Sequence, residues 1–232
     1  VEKMQNESTV GNDLHSSMRA YLSVLSASLF FFFIFLQINM YNALDSSLIN
    51  AFNINTTQLG NLSACYYYST VIFLIPAGLI LDRISTKKAI IFNMSLIILM
   101  TLLFSWTNSY AVACFSRLVT GACGAFGLLS CIRVAAQWFP SDKLAWVIGL
   151  VITIAMIGGI CAQTPFTLLV NHVGWRHALQ INVVIGLVLF LAIWLGVADT
   201  PRAKYETPKY DPSLQQNTIA SLLTVGKNIR NW

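Results

Sequence analysis

Two charged residues lie within stretches of sequence that otherwise carry no charge. Asp45 follows the uncharged interval 20–44, and Arg117 follows the uncharged interval 89–116. An ionised side chain inside a bilayer is costly unless it pairs with another charge or faces water. Each residue is therefore a candidate for a functional role, since a carboxylate can accept a proton and a guanidinium can bind an anion.

Polar side chains near Asp45 predict a surface that binds a small polar solute. Gln37, Tyr41 and Asp45 recur every four residues, so a continuous helix would place them on one face. Such a stripe is unfavourable against lipid, so we expect it to face a cavity and to hydrogen-bond a solute. For the tyrosines, packing is an equally good interpretation. The candidate substrate contacts are Gln37, Tyr41, Asn42, Tyr67, Arg117 and Gln163.

The elements that must position these residues are transmembrane helices. Hydrophobic residues make up 56% of the chain and charged residues only 10%, against about a quarter charged in soluble domains. Most uncharged intervals exceed the ~20 residues that cross a bilayer as a helix, and they lack the alternation of barrel strands. The sequence predicts an all-α polytopic membrane protein with spans near 20–43, 58–81, 88–107, 111–137, 145–170 and 177–197.

The basic residues predict the orientation of these spans. Every Lys and Arg except Arg117 and Arg176 falls on one side of the membrane if the spans alternate, and the positive-inside rule makes that side cytoplasmic. We expect an integral multi-pass membrane protein with both termini in the cytoplasm. It would consist of a tail at 1–17, a six-helix bundle at 18–198 and a linker at 199–232. Nucleic-acid binding, which needs a basic groove, has no support.

The cysteines and histidines indicate neither a metal site nor a resident cofactor. The five cysteines all fall within predicted spans, and no pair has the spacing of a zinc site. We interpret them as small buried hydrophobic residues. The three histidines are better explained as surface residues. The only small ion that we expect is a coupling ion such as a proton.

The loop between the second and third predicted spans carries a motif. Residues 78–88 read GLILDRISTKK, which resembles the loop signature of the major facilitator superfamily. Arg117-Leu-Val-Thr-Gly121 resembles that family's intramembrane Arg-x-x-x-Gly motif. The phrases QWFPSDK at 137–143 and GWR at 174–176 are similar to phrases in its organic-anion branches. The fifth span lacks the compact Gly-Pro signature of the family's drug antiporters, which disfavours multidrug export.

The resemblance implies one six-helix bundle of a twelve-helix secondary active transporter that works by alternating access. The two bundles would surround a central cavity, and each would be built from inverted three-helix repeats. The expected partners are a small-molecule substrate, the lipid bilayer and the carboxy-terminal six-helix half of the same transporter. On this interpretation the chain is not an enzyme. The phrases QWFPSDK and GWR favour a small organic anion as substrate.

By the same resemblance, the loop motif takes part in gating. Asp82 is expected to pair with Arg133, or to accept hydrogen bonds at the start of the fifth span near Leu144. Such a cluster would stabilise the outward-open state of the transporter and would loosen in the inward-open state. Gly78 is expected to let the second helix pack closely against its neighbours. The candidate gating residues are Gly78, Asp82, Arg83, Lys87 and Arg133.

The resemblance also implies a role for the two isolated charges. In the family's sugar symporters, an acid on the first helix pairs with the motif arginine and handles the proton. This implies that Asp45 accepts the proton while Arg117 is its charge partner, and that protonation frees Arg117 for an anionic substrate. The competing interpretation is that Asp45 caps an exposed helix end and that Arg117 braces the bundle against backbone carbonyls.

Two other functions remain as alternatives, and two more are disfavoured. A facilitative uniporter of a sugar, a dipeptide or another metabolite would share this architecture. A non-transport membrane bundle or receptor-like subunit would need no second half. An intramembrane protease would require a nucleophile motif and a histidine at membrane depth, and a channel would require a selectivity element; the sequence offers neither.

Overall fold

The computed structural model describes residues 2–197, with side chains from Met18 onward. Within this range the chain forms nine α-helices and one 3-10 turn and no strand. The predicted linker at 199–232 lies outside the described residues, as do the side chains of the tail at 1–17. The elements are α1 (Glu2–Asn39), the 3-10 turn (Met40–Ala43), α2 (Asp45–Phe52), α3 (Thr56–Arg83), α4 (Thr86–Trp106), α5 (Tyr110–Gly124), α6 (Phe126–Trp138), α7 (Ser141–Ala162), α8 (Thr164–Val173) and α9 (Trp175–Gly196).

The six predicted spans are confirmed. Two of them are each made of two helices, since α5 continues into α6 and α7 into α8. The fifth span begins at Ser141 rather than near 145, because its first turn follows Pro140 directly. Pro preorganises the start of a helix and costs nothing there. The spans are Met18–Ala43, Thr56–Arg83, Thr86–Trp106, Tyr110–Trp138, Ser141–Val173 and Trp175–Gly196.

The connections between spans are short, and residues in three of them begin the following helix. Asn55 and Gln58 form a reciprocal capping box at the start of α3, with bonds of 2.8 and 3.0 Å. Ser85 accepts a hydrogen bond from the backbone of Lys88 and starts α4 after a loop of two residues, 84–85. Gly174, whose positive φ of +81° favours glycine, connects α8 to α9.

The bundle has two ends, which we name by their loops. We call the end with the loops 84–85 and 139–140 the basic end, and the end with the loops 53–55 and 107–109 the far end. An ion pair joins the second and fourth spans at the basic end. A hydrogen bond from Arg176 to Asn108 joins the sixth span to the 107–109 loop at the far end.

The first span is the centre of the bundle. In its most apolar window 61% of the residues are buried, against 22% for α3 and 28% for the fifth span. Its most extensive contact is with α7, where Gly158 leaves no room for a Cβ against the carbonyl oxygen of Phe32. The second and fifth spans therefore keep broad apolar faces that no described part of this chain covers.

Candidate functional site

Arg117 lies in the interior of the bundle and forms no ion pair with any described side chain. It projects from α5, and only 2% of its surface is exposed. Its guanidinium carbon lies 3.6 Å from the ring centroid of Tyr41 and 4.8 Å from that of Tyr66. These cation–π contacts can each contribute about 2 kcal/mol when desolvated. Its Nε has no hydrogen-bond partner, so a donor remains available in a dry environment.

Tyr66 reaches Arg117 because α3 and α5 touch at a glycine. A Cβ on Gly121 would overlap the backbone carbonyl of Tyr66, and one on Gly124 would overlap the Tyr66 hydroxyl. The hydroxyl of Thr70 bridges the same contact with a 2.9 Å bond to the carbonyl oxygen of Gly121. The glycine of the Arg-x-x-x-Gly motif thus brings the second span close enough for its tyrosine to cover the arginine.

The predicted pair of Asp45 and Arg117 is absent from this structure. The only ion pair among the described side chains joins Arg133 and Asp82. Asp45 is exposed and begins α2, whereas Arg117 is buried. The four-residue repeat assumed a continuous helix, but α1 ends at Asn39 and the chain changes to 3-10 geometry. Gln37 and Tyr41 therefore lie in the interior of the bundle, whereas Asp45 lies at its surface.

A buried asparagine supports this break in the first span. Asn182 of α9 is fully buried, and its Nδ2 lies 3.1 Å from the sulfur of Met40, the first residue of the 3-10 turn. Its Oδ1 has no partner, and neither has Nε2 of the buried Gln37. Unpaired buried polar groups cost about 1–3 kcal/mol each. Both unpaired atoms lie in the interior of the bundle.

The other predicted substrate contacts are dispersed. Asn42 and Gln163 are exposed, and Gln163 marks the break between α7 and α8. Tyr67 is 54% exposed and packs edge-on against Tyr66 at 5.5 Å. The prediction named Tyr67, but Tyr66 is the tyrosine that contacts Arg117. Gly121 and Gly124, one turn apart on the facing helix, were the sequence signal that could have identified Tyr66.

Aromatic rings connect this interior to α2 at the far end. Tyr41 packs edge-on against Phe104 at 5.3 Å, and Phe104 meets Phe52 of α2 at 6.2 Å. Trp175 packs against both phenylalanines. The neighbouring Arg176 bonds Asn108 at 2.5 Å and stacks over Trp175. The residues of the GWR sequence at 174–176 thus contact the aromatic rings at the far end, and these rings connect to Arg117 through Tyr41.

The predicted contact at the basic end is present. Nη1 of Arg133 lies 3.2 Å from Oδ1 of Asp82 and also donates to the carbonyl oxygen of Leu81. The Asp82 side chain is 80% exposed, so the pair is at a surface and is weak by itself. Arg83 is exposed and Lys87 half-buried. These contacts tie the end of α3 to the end of α6.

One prediction for the loop motif is wrong for the described residues. Gly78 was expected to permit close helix packing, but a Cβ there would meet nothing within 4 Å. The residue sits on the α3 face that the described chain leaves uncovered. The second span instead packs closely against the fourth span where Tyr66 meets Gly121, more than two turns farther from the loop.

Known proteins are similar to this chain in sequence. The family model described as Major Facilitator Superfamily matches residues 25–229. A drug efflux pump, JefA, of Mycobacterium tuberculosis is 25% identical over 78% of this chain and 36% of that protein. Probable anion transporter 7 of Oryza sativa subsp. japonica is 25% identical over 74% of this chain and 38% of that protein.

A solved structure has the same fold. The bacterial homolog of the human lysosomal transporter Spinster, in an inward-facing and unoccupied conformation, gives a TM-score of 0.74 at 18% identity. The match covers 90% of this chain and 49% of that one. The chain thus spans less than half the length of the curated relatives named above and about half of this structural neighbour. The buried arginine, the loop motif and the matched model together place the chain in the Major Facilitator Superfamily.

Proposed function

We propose that this chain is the amino-terminal half of a secondary active transporter that moves a small organic anion by alternating access. The observation that carries the proposal is the buried guanidinium of Arg117, which has no carboxylate partner among the side chains that the structure describes and an unpaired Nε. A buried charge without a partner is costly. An anionic substrate would supply the missing charge and accept the free hydrogen bond.

The second half of the transporter would cover the exposed faces of this bundle. The spans with the fewest buried residues are the second and the fifth, and Gly78 lies on one of these faces with open space around it. The basic end would lie in the cytoplasm, as the positive-inside rule implies. The Asp82–Arg133 contact would then act as a cytoplasmic latch together with Arg83 and Lys87.

Asp45 is our candidate for the proton acceptor, acting at a distance from Arg117. Partial desolvation holds the pKa of its carboxyl above the ordinary value of 3.8. Asp45 starts α2, whose Phe52 reaches Tyr41 through Phe104. Protonation would change how α2 sits on the far end, and the rings would transmit that change to the guanidinium.

The experiment is an uptake panel with the full-length protein in proteoliposomes, with and without a pH gradient. Carboxylates, sugar phosphates, sugars and dipeptides are offered as labelled solutes. Arg117→Lys keeps the charge but loses the planar donor set, so we expect transport efficiency for an anion to fall about tenfold or more. Arg19→Lys, at an exposed arginine of α1, is the matched control and should leave transport efficiency unchanged. Equal efficiency of the Arg117→Lys variant and the wild type for every transported solute would refute the proposal.

Export of drugs is a second candidate function. It is favoured by the relatives from Mycobacterium tuberculosis, whose names describe a drug efflux pump and a multidrug resistance protein. The uniporter of a neutral metabolite and the non-transport bundle are less favoured because a neutral ligand leaves Arg117 uncompensated. The same proteoliposomes separate these cases. Efflux of lipophilic cations, unaffected by Arg117→Lys, would support the second candidate against the first.

A further inference from the structure

A buried amide of the sixth span contacts the first span where α1 ends. Asn182 of α9 and Met40 are both fully buried, and Nδ2 of Asn182 donates a 3.1 Å hydrogen bond to the sulfur of Met40. Met40 is the first residue of the 3-10 turn. The two residues are 142 positions apart in the chain, so only the packing of α9 on the first span brings them together.

The amide of Asn182 contributes little to stability. A thioether sulfur is a weak hydrogen-bond acceptor, and Oδ1 of Asn182 has no partner among the described groups. A buried polar atom without a partner is destabilising, whereas an apolar side chain of similar shape can take its place at little cost. Leucine has the same number and branching of side-chain heavy atoms as asparagine. Stability alone therefore does not account for an asparagine at this position.

The turn that Asn182 contacts directs the ring of Tyr41. Tyr41 follows Met40 in the chain, and the guanidinium carbon of Arg117 lies 3.6 Å from the centroid of its ring. A 3.0 Å hydrogen bond from the backbone N–H of Leu44 to the carbonyl oxygen of Tyr41 closes the turn. A 3-10 turn rotates the chain by a different angle per residue than an α-helix does. The residue at which the geometry changes therefore determines where the Tyr41 ring points.

A second buried asparagine makes a contact of a different kind. Asn93 of α4 is 4% exposed, and its Nδ2 donates a 2.8 Å hydrogen bond to the carbonyl oxygen of Ala89 in the same helix. Among the hydrogen bonds of the described residues, none joins the Asn93 side chain to another span. Asn93 is therefore the matched control, because its replacement removes a buried amide without removing a hydrogen bond between spans.

We propose that Asn182 is a positioning residue of the transport site. Its hydrogen bond to Met40 holds the 3-10 turn in place, and the turn holds the Tyr41 ring against the guanidinium of Arg117. Asn182 thus acts on the arginine through Met40 and Tyr41. This role rests on the proposed function, in which Arg117 binds the anion. It adds a residue of the sixth span, outside the predicted substrate contacts, that sets the affinity of the site.

The first test is hydrogen–deuterium exchange of the full-length protein in lipid nanodiscs. Asn182→Leu removes the amide, and Met40→Leu removes its acceptor with little change in packing volume. In both variants the backbone amides at 40–44 should exchange about threefold to tenfold faster than in the wild type, because one hydrogen bond no longer restrains the turn. Asn93→Leu should leave this exchange unchanged. Wild-type exchange at 40–44 in both Asn182→Leu and Met40→Leu would overturn the proposal.

The second test measures transport by the same variants with the labelled carboxylates and sugar phosphates of the uptake panel. Asn182→Leu should raise the apparent KM about threefold to tenfold at an unchanged maximal rate, whereas Asn93→Leu should change neither. If Arg117→Lys lowers transport efficiency but Asn182→Leu leaves KM unchanged, the positioning role is overturned and the proposed function stands. If neither variant affects transport, both are overturned.

A double variant separates positioning from packing. Met40→Leu leaves both polar groups of the buried Asn182 amide unpaired, so the Tm should fall by several degrees. Adding Asn182→Leu removes the unpaired amide and should restore the Tm, while the apparent KM stays raised. If KM returns to the wild-type value together with the Tm, the contact serves stability only and the positioning role is overturned.

Discussion

Replacing Gly121 by alanine tests the helix contact on which the arginine site depends. The added methyl group would overlap the backbone carbonyl of Tyr66, which cannot turn aside as a flexible side chain could. Overpacking costs about 1–3 kcal/mol, and a backbone obstacle places this case near the upper limit. Alanine regains about 1 kcal/mol of helix propensity over glycine. The net loss is therefore about 2 kcal/mol, and α3 must move away from α5.

The assay is thermal unfolding of the purified protein in one detergent, followed by intrinsic fluorescence. For a domain of this size, about 2 kcal/mol corresponds to a fall in Tm of roughly 4–8 °C. Gly149→Ala is the matched control, because a Cβ at that position meets nothing within 4 Å. The control should melt at the wild-type temperature or slightly above it. If both variants melt together, the close contact between α3 and α5 does not exist as described.

The same substitution should also affect the site. Tyr66 faces Arg117 at 4.8 Å because α3 lies against Gly121. A shift of α3 carries the ring away from the guanidinium and weakens a contact of about 2 kcal/mol. The uptake efficiency of the full-length transporter should therefore fall in Gly121→Ala and remain unchanged in Gly149→Ala. If Gly121→Ala lowers the Tm but leaves uptake normal, the glycine contributes to helix packing and has no role in the site.

Three further predictions concern the charged residues and the rings. Asp82→Asn removes the ion pair with Arg133, so the maximal transport rate should fall while the apparent affinity stays constant; a loss confined to affinity would contradict the latch. Asp45→Asn should abolish proton-driven uptake and spare exchange, which counterflow and gradient assays distinguish. Because the pKa of Asp45 is raised in the native state, the native protein holds this proton more tightly than the unfolded chain does. The free energy of unfolding should therefore decline as the pH rises above 3.8, and Asp45→Asn should remove that part of the decline. Tyr41→Leu should lower Tm by several degrees through loss of the contact of about 2 kcal/mol, whereas Tyr68→Leu on the exposed face of α3 should not.

Periodicity and charge distribution determined the spans. An apolar stretch longer than about 20 residues has few alternatives to a membrane helix, and charges interrupt such stretches where the chain leaves the lipid. The loop motif similarly predicted the contact between Asp82 and Arg133, since both lie near the ends of spans at the same end of the bundle. These features are local in the chain, or follow from the alternation of the spans.

The site depended on tertiary contacts that the sequence could not provide. Asp45 belongs to α2 rather than to α1 because the chain bends at Met40, which Asn182 contacts from 142 residues away. Tyr66 rather than Tyr67 covers Arg117 because Gly121 and Gly124 admit it from another span.

The sequence by itself therefore determined which segments cross the membrane and that Arg117 lies within one of them, since the cost of transferring charge into lipid acts on each segment separately. Only the tertiary structure decided what surrounds Arg117. The neighbours of a helix face depend on how closely two helices approach and at which rotation, and single small residues on the opposing helix set both.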